Sequence, residues 1–374
     1  MKTKYFYFYL LVLLCNICIF NSFTLAQHLD RSLIDVSKIT SWVSSEGFHD
    51  WIVDNNVFNG SYPNGKPVGV IFSEGICWGG LVYDGHAPIV RVNGNTYGTG
   101  CSPITRLFRV RTDYYTADLT VDASNFFNKD RLDVTNEDIQ QLKQQYEKDW
   151  NEWPADKGAP YYDEDNDAIY DPNSDVPGVP GAVQTIWINY NDSISESNYG
   201  SPPIGLEVQE TYWAYYLECP ISNVIFKKVD IIYKGVTSSV PNSFIDSMFI
   251  CQWSNTNLGS SFDDFIGCDT VLNLGYTYNS EDPDAKYNMF NLAPPAVGYT
   301  ILQGASKYTG NYSDSAVFNF KWRKNHKYFN SKPLTNAILH RTGDYFTEPD
   351  FNYNGTLEFY NMMGGYLPIP RYPN

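Results

Sequence analysis

Short runs of apolar and β-branched residues, separated by turn-forming residues, dominate the middle of the chain. Four such runs occupy residues 182–190, 206–216, 224–233 and 244–253. A fifth run, residues 271–278, alternates strictly and so has two distinct faces. Period-two alternation is typical of half-buried strands, and the spacing of the runs suits strands that pair antiparallel. The pattern predicts a mainly β protein with an antiparallel β-sandwich architecture.

One segment follows a helical period instead. Thr135 stands at the N-cap position, and Asp138 completes a capping box three residues later. Large apolar side chains then recur every three or four residues: Ile139, Leu142, Tyr146, Trp150 and Trp153. Pro154 is expected to end the helix because it lacks an N–H donor. With a weaker helical stretch before it, the segment predicts a short helical insertion around residues 117–153, whose aromatic stripe packs in the core.

Residues 156–181 form an acidic, Pro/Gly-rich loop, called here the long loop. Loops of this length are uncommon unless they have a function or hold an ion. The long loop therefore divides the chain into an N-terminal β region with the helical insertion, residues 27–155, and a β-sandwich region, residues 182–374. The alternative is one continuous domain that carries an ordered loop.

The first residues have the layout of a secretory signal peptide. Lys2 and Lys4 precede an apolar run at residues 5–20, and a more polar stretch ends at Ala26. The run is shorter than the roughly 20 apolar residues that a membrane span needs, although an anchor is the alternative. We therefore expect cleavage of residues 1–26, no transmembrane segment in the mature chain, and a secreted or outer cell-surface protein.

The chain is strongly acidic. Its 374 residues include 42 Asp and Glu against 26 Lys and Arg, a formal charge of −16. Residues 1–26 contain two lysines and no acidic residue, so the mature chain would carry −18. Binding to a phosphate backbone needs clustered Lys and Arg, which this sequence lacks. A nucleic-acid partner is therefore not expected.

Part of this acidity lies in residues 163–175, called here the aspartate loop. Its acidic residues match positions 1, 3, 5 and 9 of the helix-loop-helix calcium loop, with a backbone carbonyl at position 7. Alternate carboxylates in a tight loop can turn inward around Ca²⁺, which prefers six to eight oxygen ligands. The predicted ligands of a structural Ca²⁺ are Asp163, Asp165, Asp167, Ile169, Asp171 and Asp175.

The aspartate loop also departs from that pattern. Position 6 is Ala168 where a glycine normally makes the sharp turn, and position 12 is Ser174, so Asp175 has to replace the usual glutamate. The prolines that follow prevent a long C-terminal helix. A calcium sensor is thus excluded and a static site is expected, with a solvated acidic turn as the alternative. A second polar segment, from Asn255 to Asp269, has oxygens that could gather an ion, but their spacing fits no compact loop.

Five cysteines follow residue 26, namely Cys77, Cys101, Cys219, Cys251 and Cys268. Secretion would permit disulfides, but an odd number leaves at least one thiol unpaired. Cys251 with Cys268 is the preferred pair, because a bridge there would hold the polar loop between them. Free, buried cysteines are the alternative.

Signatures of catalysis are weak. Residues 75–79, Gly-Ile-Cys-Trp-Gly, have the spacing of a nucleophile elbow, but a strand is predicted after them where that motif needs a helix. We interpret the match as a coincidence. Glu207 and Glu210, on a strand rich in Tyr and Trp, could act as paired hydrolytic carboxylates. A chain with 42 acidic residues always offers such a pair.

Several stretches carry a resemblance to known proteins: WPADKGAP at 153–160, PGVPG at 177–181, IGLEVQETY at 204–212, DDFIGCD at 263–269 and GTLEFYN at 355–361. Together they resemble a group of large secreted Bacteroidota-type proteins of unknown function. Members of that group usually end in a sorting domain for type IX secretion, which is absent here. The resemblance implies a secreted or surface location and a truncated gene product, and it implies no catalytic residue.

These observations lead to one functional expectation and one alternative. We expect a secreted or cell-surface, non-enzymatic β-sandwich protein, stabilised by calcium, with a role in adhesion or glycan binding. Polar β surfaces rich in aromatic residues suit stacking on sugar rings, so glycans or other extracellular surface components are the expected partners. The alternative is a secreted polysaccharide hydrolase.

Overall fold

The computed structural model describes residues 31–51, 59–193, 200–318, 321–330, 334–339, 343–344 and 346–368. The predicted signal peptide, residues 1–26, lies outside these ranges. The described residues form many short strands and four α-helices, which confirms the prediction of a mainly β protein. None of the helices in these ranges combines the length and the apolar character needed to cross a bilayer.

The strands are numbered along the chain. Those up to residue 181 are β1 (Arg31–Ile34), β2 (Ser41–Ser44), β3 (Phe48–His49), β4 (Gly60–Ser61), β5 (Gly69–Tyr83), β6 (Val90–Gly94), β7 (Ser102–Pro103), β8 (Phe108–Arg111), β9 (Tyr161–Tyr162) and β10 (Val176–Pro177). Those after it are β11 (Gln184–Asn191), β12 (Leu206–Ala214), β13 (Ile225–Tyr233), β14 (Phe244–Thr256), β15 (Asp264–Asp269), β16 (Leu274–Asn279), β17 (Ala296–Thr300), β18 (Ser306–Tyr308), β19 (Ala316–Phe318), β20 (Lys321–Arg323) and β21 (Tyr328–Asn330). The helices are α1 (Thr120–Phe127), α2 (Asn136–Asn151), α3 (Ala285–Asn288) and α4 (Tyr353–Met363).

Two five-stranded antiparallel sheets form the centre of the protein. In the first sheet, β5 pairs with β14 along one edge and with β3, β4 and β6 along the other. In the second sheet, β12 lies between β13 and β11, and β7 and β8 both pair with β11. The strands β11 to β14 coincide with four of the runs predicted from the sequence.

The largest hydrophobic core joins the two sheets. It includes Ile76 and Trp78 from β5, Ile188 and Tyr190 from β11, and Tyr212 from β12. Side chains of both sheets therefore meet face to face, and the prediction of an antiparallel β-sandwich is confirmed. The regions on either side of the long loop contribute to this one core, and all four Tyr and Trp side chains of β11 and β12 are buried in the protein.

The predicted capping box begins α2. Thr135 Oγ1 accepts a hydrogen bond from Asp138 N at 3.2 Å, and the Asp138 carboxylate accepts one from Thr135 N at 2.9 Å. Leu142 and Tyr146 pack against residues of α1, as the helical period predicts. Trp153 differs, because it lies beyond the end of the helix at Asn151 and packs against β8 and β11. The chain thus enters the long loop from a fixed point on the second sheet.

The fifth predicted run is only partly a strand. Residues 270–273 form a turn, and β16 begins at Leu274. Within β16, Thr277 is buried while Tyr278 is 43% exposed, so the buried face is not the one that carries Leu274, Tyr276 and Tyr278. The reason is that Thr277 bonds to Thr256 of the neighbouring β14 at 2.6 Å.

Candidate metal centre

A short strand pair closes the aspartate loop at its base. β9 pairs with β10, with Val176 opposite Tyr162. Asp163 follows the first of these strands and Asp175 precedes the second, so both ends of the loop start from one point. This strand pair closes the aspartate loop, in place of the two helices that flank the loop of the helical calcium motif.

Three carboxylates converge inside this loop, and we call Asp163, Asp165 and Asp175 the carboxylate cluster. One carboxylate oxygen of each lies within 4.8 Å of the others. Asp175 is buried, Asp163 is half-buried and Asp165 is exposed. Among the described residues, no group donates a hydrogen bond to the buried Asp163 Oδ1. A buried oxygen without a partner is unfavourable, and a divalent cation would supply one.

Backbone N–H groups hold the cluster in position. Asp175 accepts hydrogen bonds from Glu164 N at 3.0 Å and from Asp171 N at 2.8 Å. Asp163 Oδ2 accepts one from Ala168 N at 3.0 Å. Each carboxylate has about four lone-pair sites, so these bonds leave oxygens available to a cation. The loop therefore orients the carboxylates without consuming them.

The position that carries glycine in calcium loops has the backbone shape of glycine here. Ala168 has φ 65°, and Asn166 has φ 63°. Positive φ is uncommon for residues other than glycine, and Asn tolerates it better than Ala. Ala168 thus has the backbone conformation that glycine adopts at this position of calcium loops. Because alanine is strained in that conformation, the substitution costs the loop roughly 1 kcal/mol.

The other predicted ligands make local contacts. Asp167 Oδ1 accepts a hydrogen bond from Ile169 N at 2.7 Å, and Asp171 Oδ1 accepts one from Asn173 N at 2.9 Å. The side chain of Ile169 is 69% exposed. In the described residues, the carboxylate cluster does not include Asp167 or Asp171. The structure brings together three of the six predicted ligands.

The electrostatics of the loop are those of unneutralised negative charge. The Asp167 N–H lowers the pKa of Asp165, but burial and the carboxylates of Asp167, Asp175 and Asp163 outweigh it, and the pKa is raised. Burial and the same carboxylates raise the pKa of Tyr161. None of the ion pairs found in the described ranges involves an acid of this loop. A bound divalent cation would reduce this repulsion.

Aromatic side chains tie the loop to the body of the protein. Tyr170 OH donates to Trp150 O at 2.6 Å, and Trp150 Nε1 donates to Pro172 O at 3.2 Å. At the loop entrance, Trp153 Nε1 donates to Pro160 O at 2.8 Å. Order in the aspartate loop is therefore linked to α2 and, through Trp153, to the second sheet.

The second polar segment has a different arrangement. Asn257, Asp263 and Asp264 each have a buried Oδ1 that receives no hydrogen bond from the described residues. Asp264 Oδ2 accepts one from Leu258 N at 3.0 Å. Burial, followed by the charges of Asp263 and Asp284, raises the pKa of Asp264. Among the residues described, the acidic side chains of this segment do not form a compact group of three. The segment therefore has carboxylate and amide oxygens without hydrogen bonds, but these oxygens do not converge on one point.

The candidate hydrolytic pair does not share a cleft. Glu210 is fully buried, where it accepts hydrogen bonds from Tyr190 OH, from Tyr212 OH at 2.8 Å and from His49 Nε2 at 3.0 Å. Glu207 forms an ion pair with Lys234 at 2.8 Å. The two glutamates are three positions apart on β12 and so lie on opposite faces of the sheet. Hydrolysis would require both beside one glycosidic bond.

The cysteines differ from the preferred pairing. All five are free, so the predicted bridge between Cys251 and Cys268 is wrong. Cys268 lies on β15, in a separate three-stranded sheet, whereas Cys251 lies on β14 opposite Cys77. Cys77 itself is in the middle of the continuous strand β5, with no helix after it. The interpretation of residues 75–79 as a coincidental match is confirmed.

Comparisons with known proteins complete the description of the site. The chain matches no protein-family model, no curated protein and no solved structure. The resemblance to secreted Bacteroidota-type proteins stays a prediction.

Proposed function

We propose that the protein is a calcium-stabilised β-sandwich of the extracellular space or outer cell surface that acts by binding and not by catalysis. The observation that supports this most is the carboxylate cluster, in which Asp163 Oδ1 is buried without a partner. Three carboxylates on a closed loop are a ligand set without another evident role. The loop lacks the two flanking helices that a calcium sensor needs, so a sensor role is not proposed.

The donor atoms favour calcium over other metals. The aspartate loop contains no His or Cys, which zinc prefers. Mg²⁺ demands near-ideal octahedral geometry and keeps several waters, whereas Ca²⁺ accepts irregular sets of six to eight oxygens. The carboxylate cluster would supply the first oxygens, and Asp167, Asp171 and the carbonyl of Ile169 are the nearest further donors in the sequence.

The modest charge density of the site fits an extracellular location. A site built on three carboxylates, one of them exposed, is expected to bind Ca²⁺ with a dissociation constant of roughly 10⁻⁴–10⁻³ M, the range of extracellular modules. Such a site fills only where free Ca²⁺ is in the millimolar range. Bound Ca²⁺ would reduce the negative charge of the loop and strengthen its links to Trp150 and Trp153.

A surface for glycans has to lie away from the core aromatics. Tyr83 and Phe244 face each other across β5 and β14, are stacked at 4.8 Å between ring centroids, and are 38% and 52% exposed. Exposed, parallel aromatic rings can stack on the apolar face of a sugar. We propose this pair as the contact for glycans. For the hydrolase alternative, Glu207 and Glu210 offer no support.

The test combines a glycan array with turnover assays on the same polysaccharides, using the full chain with Ca²⁺. The Tyr83→Ala/Phe244→Ala variant should lose glycan binding at least about tenfold, because stacked aromatic contacts contribute on the order of 1 kcal/mol each. Tyr216→Ala, which removes a tyrosine that is 74% exposed elsewhere, should bind like the wild type. Turnover of any polysaccharide, or equal binding by both variants, would contradict the proposal.

A further inference from the structure

The central strand of the first sheet, β5, and its edge strand β14 bring two cysteines together. Cys77 of β5 and Cys251 of β14 are register partners. Directly opposed residues of antiparallel strands have Cα atoms about 4.5–5.5 Å apart and side chains on the same face. A disulfide accepts Cα separations of about 4.4–6.8 Å. The backbone therefore already has the spacing of a cross-strand bridge.

The two cysteines also lie in one cluster. Cys77 Sγ donates to the backbone carbonyl oxygen of Cys251 at 3.8 Å, and both cysteines pack with Trp253, Phe359 and Met363 on the face that α4 covers. Cys101, the other buried thiol, belongs to the core between the two sheets, on the opposite face of β5. The geometry thus distinguishes Cys77 and Cys251 from the remaining cysteines.

We propose that Cys77 and Cys251 form a cross-strand disulfide when the protein meets a disulfide oxidant, such as oxidised glutathione or a thiol–disulfide oxidoreductase. The Cys251 thiolate attacks one sulfur of the oxidant, forms a mixed disulfide and releases the first thiol. The Cys77 thiolate then attacks Cys251 Sγ and releases the second thiol. Two protons and two electrons pass from the cysteine pair to one external disulfide, which becomes two thiols.

The order of attack follows from accessibility and acidity. Cys251 is half-buried, whereas Cys77 is buried. The hydrogen bond with Cys77 lowers the pKa of Cys251, although burial opposes it, while burial raises the pKa of Cys77. Cys251 is therefore the thiol that meets the oxidant first, and Cys77 resolves the mixed disulfide.

The bridge would join residues 174 positions apart in the chain. A cross-link that closes a long loop lowers the conformational entropy of the unfolded chain and so stabilises the fold. It would fix the β5–β14 edge of the sandwich beneath α4. We expect the oxidised protein to melt at least about 3 °C higher than the reduced protein.

The test uses the full chain with the exposed cysteines replaced, Cys219→Ser/Cys268→Ser, to prevent links between molecules. The protein is purified reduced, treated with oxidised glutathione, and analysed by intact mass, differential alkylation and peptide mapping. The expected product is lighter by two hydrogen atoms, contains one peptide pair that joins Cys77 to Cys251, and loses its added thermal stability on reduction. Adding Cys251→Ser to this background should abolish both the mass change and the shift in melting temperature.

Other products would overturn the proposal. These are glutathione retained on Cys251 while Cys77 stays open to alkylation, a link that involves Cys101, or a thermal shift that persists with Cys251→Ser. Because peptide mapping is done on the background protein, the result does not depend on the Cys251→Ser variant folding.

Discussion

Carboxylates of the sandwich core and of the aspartate loop have opposite surroundings. Glu210, fully buried, is bonded to His49, Tyr190 and Tyr212. In the aspartate loop, Asp163 and its two neighbours in the carboxylate cluster face one another, and their donors among the described residues are backbone N–H groups. Within the described part of the chain, side chains thus provide partners for the first set but not for the second.

The difference shows where a carboxylate needs a partner from the chain and where it can take a cation from solution. A charge inside a core has to be paired within the chain, because an unpaired buried charge is strongly destabilising. A loop at the surface can take its positive charge from solution instead, and its stability then depends on the concentration of the ion. We infer that the acidity of this protein has two roles, one internal and one dependent on calcium.

The largest effect is expected in the core. Glu210→Ala should lower the free energy of unfolding by about 3–5 kcal/mol, because it leaves His49 and two tyrosine hydroxyls buried without an acceptor. Urea unfolding in saturating Ca²⁺ measures the loss. Glu207→Ala, on the other face of β12 and partly exposed, should lose much less. Equal losses of unfolding free energy in both variants would contradict the larger contribution expected from the buried, hydrogen-bonded Glu210.

Calcium removal should have the next largest effect. At a Ca²⁺ concentration about 100 times the dissociation constant, binding stabilises the folded state by about 2.7 kcal/mol, and a chelator should remove that amount. Asp175→Asn should abolish the dependence on Ca²⁺, since Asp175 is the buried member of the cluster. The exposed Asp156, outside the aspartate loop, supplies the control Asp156→Asn. Melting curves that do not change with chelator in any variant would argue against the site.

Acid should separate the two sets of carboxylates. Burial alone would raise the pKa of Glu210, but His49, Lys227 and the hydrogen bonds lower it from 4.5 to about 2. Its contribution is therefore complete above pH 4.5 and is lost as the pH falls from 4.5 towards 2. The unfolding difference between wild type and Glu210→Gln should shrink over that window.

The aspartate loop should respond at higher pH, because the pKa of Asp165 is raised. Without Ca²⁺, protonation relieves repulsion as the pH falls through that raised pKa, so the metal-free protein gains stability. With Ca²⁺, protons compete for the same oxygens, so the stabilisation by Ca²⁺ declines. The gap between unfolding curves with Ca²⁺ and with chelator should therefore shrink as the pH falls. A gap that stays unchanged down to the pH at which the effect of Glu210 is lost would contradict the assignment.

The smallest effect is expected at Ala168. Ala168→Gly should stabilise the metal-free protein by about 1 kcal/mol, because glycine adopts the positive φ of this position without strain. Ala296→Gly, on the exposed strand β17, should instead destabilise, because glycine loses more backbone entropy there. Denaturant midpoints with a chelator compare the two. A loss at Ala168 similar to the loss at Ala296 would mean that the loop is not held in the described conformation.

Local features of the fold were predictable from the sequence. The capping box at Thr135 and the strands β11 to β14 depend on neighbouring residues, so their patterns indicated them correctly. Trp153 continued the helical period but packs on the second sheet, because Pro154 and the sheet contacts outweigh the period. The partner of Cys251 was not predictable either, since Cys77 reaches it only through strand pairing across 174 residues.

The candidate site was predictable only as far as it depends on residues close together in the sequence. The alternating spacing indicated Asp163 and Asp165, and the substitute position indicated Asp175. The closure of the loop by β9 and β10 was not predicted, because two-residue strands have no detectable pattern. That closure, and not the spacing of the calcium motif, brings Asp175 beside Asp163. It also explains why Asp167 and Asp171 make local turns instead of joining the cluster.

The most direct test is a calorimetric titration of the metal-free full chain with Ca²⁺, for the wild type, Asp163→Asn/Asp175→Asn and Asp156→Asn. The wild type and Asp156→Asn should bind Ca²⁺ with a dissociation constant of roughly 10⁻⁴–10⁻³ M. The double variant should lose this binding, because it removes two carboxylates of the cluster. Binding by the double variant equal to that of the wild type, or no binding by any of the three, would contradict calcium as the partner of the aspartate loop.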